Sequence, residues 1–364
     1  MSTFTGPSID GKNGTTNRTM NGTMNGSKSG PRHGARTTTT TAPTRRPRLS
    51  GMTWLVWRQH RAAFWTIIAA TALCAVWIAY QRGQMMDFLD AYGFPAKALG
   101  DADTEFEPYV DAFGSVTTGL TAIPIMLGVL LGAPLLAGDL ESGTSKLIAA
   151  QSASRNRWLA TKLGLAGLVV VVSTVTLSVV FAWWWNPIKS HYGGIDWTSK
   201  DFFNTTGPVP VALTLLSVFG GVLIGAVLRR TLVAMVVTLG FTAALQSVWG
   251  HFTPSLGNAV TVTSKPVSPG SLITFPEVPR TAAQVDASYV TGSGKLLDLN
   301  TCTETLSDQG TDLCMKKADV VGASVDYLPL SQMSGMQWFG SSILFALTAG
   351  VVAFLFFWGR KRLV

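Results

Sequence analysis

Six stretches of the chain run for about 20 residues without an aspartate, glutamate, lysine or arginine: 62–81, 116–138, 163–185, 209–228, 231–249 and 338–358. A helix of that length crosses the hydrocarbon core of a bilayer. Each charge at mid-membrane would cost about 2.5–3.5 kcal/mol, so six clean runs in one chain are a strong spanning signal. The pattern predicts an all-α integral membrane protein with six transmembrane helices. The segments between the runs are polar, and two of them are long. Residues 1–50, with "NGTTNRTMNGTMNGSKSG" and "TTTTTAPTRRP", are repetitive and poor in aliphatic side chains. They cannot bury enough surface to offset chain entropy and read as a disordered tail. The 250–337 segment holds short apolar patches broken by Pro and Gly. It could form a small lid or remain largely irregular.

Charge sets the orientation. Only 13% of residues are charged against 47% hydrophobic, where soluble domains carry roughly 25% charged residues. The net charge of +8 could mark a nucleic-acid surface, but the bases fall beside the apolar runs. Arg45, Arg46, Arg48, Arg58 and Arg61 precede the first; Lys146, Arg155 and Arg157 separate the second from the third; Arg229 and Arg230 separate the fourth from the fifth; Arg360, Lys361 and Arg362 follow the sixth. The alternate loops differ: 82–115 has seven acids against two bases, 186–208 is mixed, and 250–337 has eight acids against five bases. By the positive-inside rule both termini are cytoplasmic, in a multi-pass protein of the cell membrane. Trp54, Trp57, Trp183, Trp184, Trp185, Trp249, Trp338 and Trp358 fall at the ends of runs, where indole rings suit the headgroup layer.

Little in the sequence points to self-contained chemistry. "GTMNGSKSG" has the letters of a phosphate loop but the wrong register and no flanking strand. Serine-hydrolase and zinc-helix motifs are missing from the sequence, and the four histidines have no evident partner at ligand spacing. No catalytic, cofactor-binding or metal-binding residue is assigned, and the protein is not expected to be an enzyme. The runs carry no acid at membrane depth of the kind ion-coupled carriers use, although backbone and hydroxyl ligands stay open. They do carry packing and bending residues: Gly128 and Gly132 in the second run, Gly221 and Gly225 in the fourth, and Pro124 and Pro134 near the two ends of the second. Cys302 and Cys314 share one polar segment at a spacing that a disulfide could close. Free and paired forms are both open.

The most patterned polar segment is "GDLESGTSKLIAAQSASRNRW", Gly138–Trp158. Gly143 permits a turn, Thr144 and Ser154 can cap helix starts, and Leu147 and Ile148 give a small apolar face. This suits a short helix docking into a groove of a cytoplasmic partner, or else a plain connecting loop with topogenic arginines. The wider stretch "LLGAPLLAGDLESGTSKLIAAQSASRNRWLATKLG" resembles the signature of ABC-2 type transporter permeases, with its acidic pair, its Glu141-Ser142-Gly143-Thr144 turn, and Ser154, Arg155 and Lys162 beyond. "MTWLVWRQHRAAFW" is similar to the interfacial helix with which such permeases begin.

The resemblance implies an interfacial helix at 51–61, helices one to five over 62–249 with a coupling loop at 139–159, an extracellular loop at 250–337, and the sixth helix with its basic end at 338–364. It implies a permease subunit of an ATP-driven ABC exporter. Asp139, Glu141, Gly143, Thr144, Leu147, Ile148, Ser154 and Arg155 would couple to a separate cytoplasmic ABC ATP-binding subunit. It further implies that ATP is bound by that partner, so this chain needs no cofactor, and that a second permease copy or paralogue completes the transporter; the placement of the bases beside the spans, and not the resemblance, is what argues against a nucleic-acid partner. A different class remains: a membrane-bound sensor or scaffold whose extracellular loop binds a ligand.

Overall fold

The computed structural model describes residues 52–97, 99, 103–143, 155–192, 195–268, 273–302 and 308–362. The tail expected at 1–50 lies outside them. Among the described residues six helices are long and apolar enough to cross a membrane, and they coincide with the six apolar runs. In chain order they are α1 (Met52–Tyr92); α2 (Asp103–Leu127) continuing into α3 (Ala133–Glu141); α4 (Arg155–Trp185); α6 (Val209–Leu228); α7 (Thr231–Phe252); and α9 (Met333–Arg362). A one-turn α5 (Lys200–Phe203) lies between α4 and α6.

The first helix is longer than the apolar run it contains. Met52–Tyr92 is one unbroken helix of 41 residues, about 60 Å long at 1.5 Å per residue, so the stretch from Met52 to Arg61 runs into the first span without a break. No Gly or Pro interrupts the chain between Met52 and Gln81, and the helix simply continues through Gln59 and Arg61 into the apolar run.

The second span is interrupted as its prolines suggest. Between Pro124 and Pro134 the chain makes one π-helical turn, Gly128–Gly132, in which the Ala133 N–H reaches the Gly128 carbonyl five residues back. Pro134 has no N–H to return to Leu130, which favours the looser turn. The same turn is where the two glycine pairs meet. A Cβ on Gly221 would lie 2.7 Å from the Gly128 carbonyl, and one on Gly225 would strike the Ala133 carbonyl. The glycines of α6 and of the π turn thus form a single seam of backbone against backbone inside the bundle. α6 is the central helix, with most of its residues buried, whereas α1 and α7 lie at the periphery.

At the end of the bundle away from Asp139, the segment after α4 folds back among the helices. Asn204, Thr205 and Thr206 are buried, although their polarity reads as an outer loop. Their partners explain the burial. Trp249 Nε1 donates to Asn204 Oδ1 at 2.7 Å, Gln337 Nε2 to Thr206 Oγ1 at 2.7 Å, and Ser178 Oγ to the Gly207 carbonyl at 3.0 Å. Trp184 is fully buried and stacks on Phe113 with centroids 3.9 Å apart. Trp184, Trp185 and Trp249 are therefore core residues rather than headgroup anchors, while Trp54, Trp183 and Trp338 stay exposed.

The long loop adds strands to this mostly helical chain. It forms a four-stranded antiparallel sheet in the order β1-β4-β2-β3, from β1 (Val260–Thr263), β2 (Ala283–Thr291), β3 (Leu296–Asp298) and β4 (Val320–Leu328), with α8 (Asp308–Lys317) before the last strand. Val262 pairs with Val325, Ala287 with Val325 across the other side, and Tyr289 with Leu297. Most of β4 is buried, as befits a central strand. Cys302, just after β3, is disulfide-bonded to Cys314 in α8, with Cα atoms 5.6 Å apart. Ala283 and Leu328 of the sheet share a core with Trp197, Trp249, Met333 and Met336 of the helical part, so the sheet is seated on the bundle.

Candidate functional site

The end of the bundle that carries Asp139, Glu141, Arg229 and Arg230 gathers the polar residues bordering the patterned segment. α3 stops at Glu141, with Ser142 as its cap. Gly143 follows at φ +70°, the left-handed conformation that commonly closes a helix and that glycine adopts without strain. The chain returns at Arg155, which opens α4. Residues 144–154, with Thr144, Leu147, Ile148 and Ser154, lie outside the described residues.

Asp139 and Lys162, which bracket spans two and three in sequence, bond to each other. Lys162 Nζ donates to Asp139 Oδ2 and, at 3.0 Å, to the Leu135 carbonyl. It also lies 5.1 Å from the centroid of the Trp158 ring, within cation–π reach. The other carboxylate oxygen of Asp139 accepts from Gln59 Nε2 of α1 at 2.6 Å. Lys162 is fully buried and Asp139 nearly so, with Phe64, Leu135, Trp158, Leu159 and Leu163 clustered over the same turns. Removing two charges from water is costly unless they are paired and their remaining bonding capacity is used. Gln59, the Leu135 carbonyl and the indole face supply that, and one charged pair therefore ties α1, α3 and α4 together.

Glu141 ties in the other side. Its Oε2 accepts from the Thr231 N–H at 2.9 Å and from Thr231 Oγ1 at 2.6 Å. Thr231 is the first residue of α7, so the carboxylate caps a helix N-terminus, where backbone N–H groups and the helix dipole favour an anion. The turn before it is tight, with Arg229 at φ 55° closing α6. The two acids of the motif thus do separate jobs. Asp139 faces inward to spans one and three, and Glu141 faces outward to the start of span five.

A family model described as ABC-2 membrane transporter related matches residues 68–253. The chain belongs to that family. The match runs from within the first span through the fifth, taking in the π turn, the Asp139–Lys162 pair and the patterned segment, and it stops short of the sheet. No curated protein and no solved structure matches the chain significantly. An ABC-2 type permease is a membrane transport component, and the six spans give it the body of a multi-pass membrane protein.

Of the expected residues, the structure brings Asp139, Glu141 and Gly143 to one helix end, with Arg155 opening the helix opposite. Sequence reasoning passed over Gln59 and Thr231 and did not join Lys162 to Asp139. A usable signal was present for the last: an acid one residue beyond one apolar run and a base one residue before the next. Successive spans are antiparallel, so those two positions lie at the same depth.

Proposed function

We propose that this ABC-2 permease is the transmembrane subunit of an ATP-driven exporter of the cell membrane, coupled through residues 139–159 to a separate cytoplasmic subunit that binds ATP. The observation that carries the reading is the buried Asp139–Lys162 pair with Gln59. The bases on this end argue that it faces the cytoplasm, and the segment between Gly143 and Arg155 is the stretch a cytoplasmic partner would grip. Because both of its anchors run into spans bonded to each other and to α1, a push on the segment moves three helices as one body. Glu141 passes the same push to α7. ATP-driven closure of the partner subunits would bias the bundle between two arrangements, the kind of interface-borne switch on which coupled transport depends. A second permease copy or paralogue completes the assembly in this reading.

The test is purification of the chain from its native host, with the 139–154 segment intact or scrambled. An ATP-binding subunit should co-purify with the intact chain and be lost on scrambling. Glu141→Ala should keep normal membrane abundance but lower ATP hydrolysis stimulated by the permease. Recovery of a kinase or regulator in place of an ATPase would overturn the proposal in favour of a sensor.

A further inference from the structure

A cleft of about 680 Å³ opens between α1, α2 and α4. It exists because α1 packs along α4 and diverges from α2. We propose that this cleft is a binding site for one acyl chain of a bilayer lipid. The inference stands apart from the coupling reading, since it concerns the middle of the spans and requires no ATPase.

Three features of the walls select the occupant. First, no Asp, Glu, Lys, Arg or His lines the cleft, so nothing there complements a charged ligand. Second, the hydroxyls of Thr66, Thr71 and Thr174 donate back to the carbonyls of Ala62, Ile67 and Val170 in their own helices, each at 2.8 Å. Those three donors are spent within their own helices and ask nothing of an occupant without hydrogen-bonding groups. Third, Leu73, Trp77, Met126 and Leu130, all among the lining residues, are well exposed on helices apolar enough to cross a membrane. The cleft therefore opens sideways, and what meets it is hydrocarbon.

Size agrees. From Thr66 to Ile78 the cleft runs twelve residues along α1, about 18 Å, slightly more than half of a hydrocarbon core about 30 Å thick. A water molecule takes up about 30 Å³ of liquid and a methylene group is of similar size, so the volume holds on the order of 20 such groups. That is one long chain and not two. Toward the interior, Leu120, Ile123, Thr174 and Leu177 separate the cleft from a chamber of about 10 Å³ that Ser178, Thr205 and Thr214 also line. A chain that enters from the bilayer stops at this wall.

Gly119 lines the cleft, and a Cβ there would meet nothing within 4 Å. A large side chain at this position would fill the site without displacing its neighbours. The experiment uses the full chain in proteoliposomes containing a small fraction of phosphatidylcholine with a photoactivatable group in mid-chain, and maps the adducts by peptide mass spectrometry. Adducts on the cleft-lining peptides of α1 and α2 should exceed, several-fold, those at the equally exposed Val172 and Val179 of α4 and Leu232 and Val236 of α7. In Gly119→Phe the excess should vanish; Ala70→Phe, on the facing wall, serves should the first variant fold poorly. Labelling that follows exposure alone on every face, or that neither variant changes, would overturn the proposal. So would efficient oxidative cross-linking of two copies through Cys74, the free cysteine in the cleft, because a second copy would then be the occupant.

Discussion

Replacing Lys162 by methionine isolates the charge of the buried pair from its volume. Methionine keeps an unbranched chain of similar reach, so the cluster around Trp158 and Leu159 stays filled, while Asp139 stays nearly buried without the Lys162 ammonium that bonds it. Breaking a buried pair by removing one partner costs about 3–5 kcal/mol. At 1.4 kcal/mol per tenfold change, that is about two to four orders of magnitude in the folding equilibrium. Removing both charges, in Asp139→Leu with Lys162→Met, should recover the loss, since buried pairs replaced by well-packed apolar residues come out neutral or more stable by about 1–4 kcal/mol. The assay is reversible unfolding in mixed micelles with rising denaturing detergent, on the parent, both single variants and the double variant. The proposed function adds a second expectation: the double variant, although stable, should transport less, because its three spans are no longer locked to the segment by a directional bond. A Lys162→Met protein as stable as the parent would refute the reasoning, and so would a double variant as unstable as the single.

Two further outcomes follow from the packing. Gly132→Ala should destabilise the bundle by about 1–3 kcal/mol, the usual cost of overpacking, because its Cβ would strike the Val218 backbone; Gly164→Ala, whose Cβ meets nothing within 4 Å, should be neutral or slightly stabilising in the same unfolding assay. Cys302→Ser opens a crosslink spanning 12 residues and should cost the sheet about 2–3 kcal/mol, read as earlier proteolysis within 283–328, with a mobility shift on reduction in the parent that the variant lacks.

The sequence by itself determined the number of spans, their limits to within a few turns, the alternation of basic and acidic loops, and the one polar segment worth following. These follow from solvation. A run of 20 residues without charge has few stable places other than a membrane helix, and each unpaired charge is held outside by its own hydration. The positions of Gly128, Gly132, Gly221 and Gly225 also announced close packing, because glycine, with no side chain, lets two helix backbones approach most closely.

Only the tertiary structure decided which groups satisfy one another. Asn204 and Thr206 read as outer-loop residues until Trp249 and Gln337, more than 40 and 130 positions away, are seen to take up their hydrogen bonds. Trp184 has the placement of a headgroup anchor and the environment of a core. The long loop lacks helical periodicity, yet its strands are short, irregular and paired with partners distant in sequence, and pairing energy between distant segments leaves no local trace. Asp139 and Lys162 were each legible as the end of a span, but their bond depends on two helices standing side by side at a common depth with Gln59 of a third turned toward them. Local composition dictates where the chain meets lipid and water; which buried polar atom meets which is a property of the packed bundle alone.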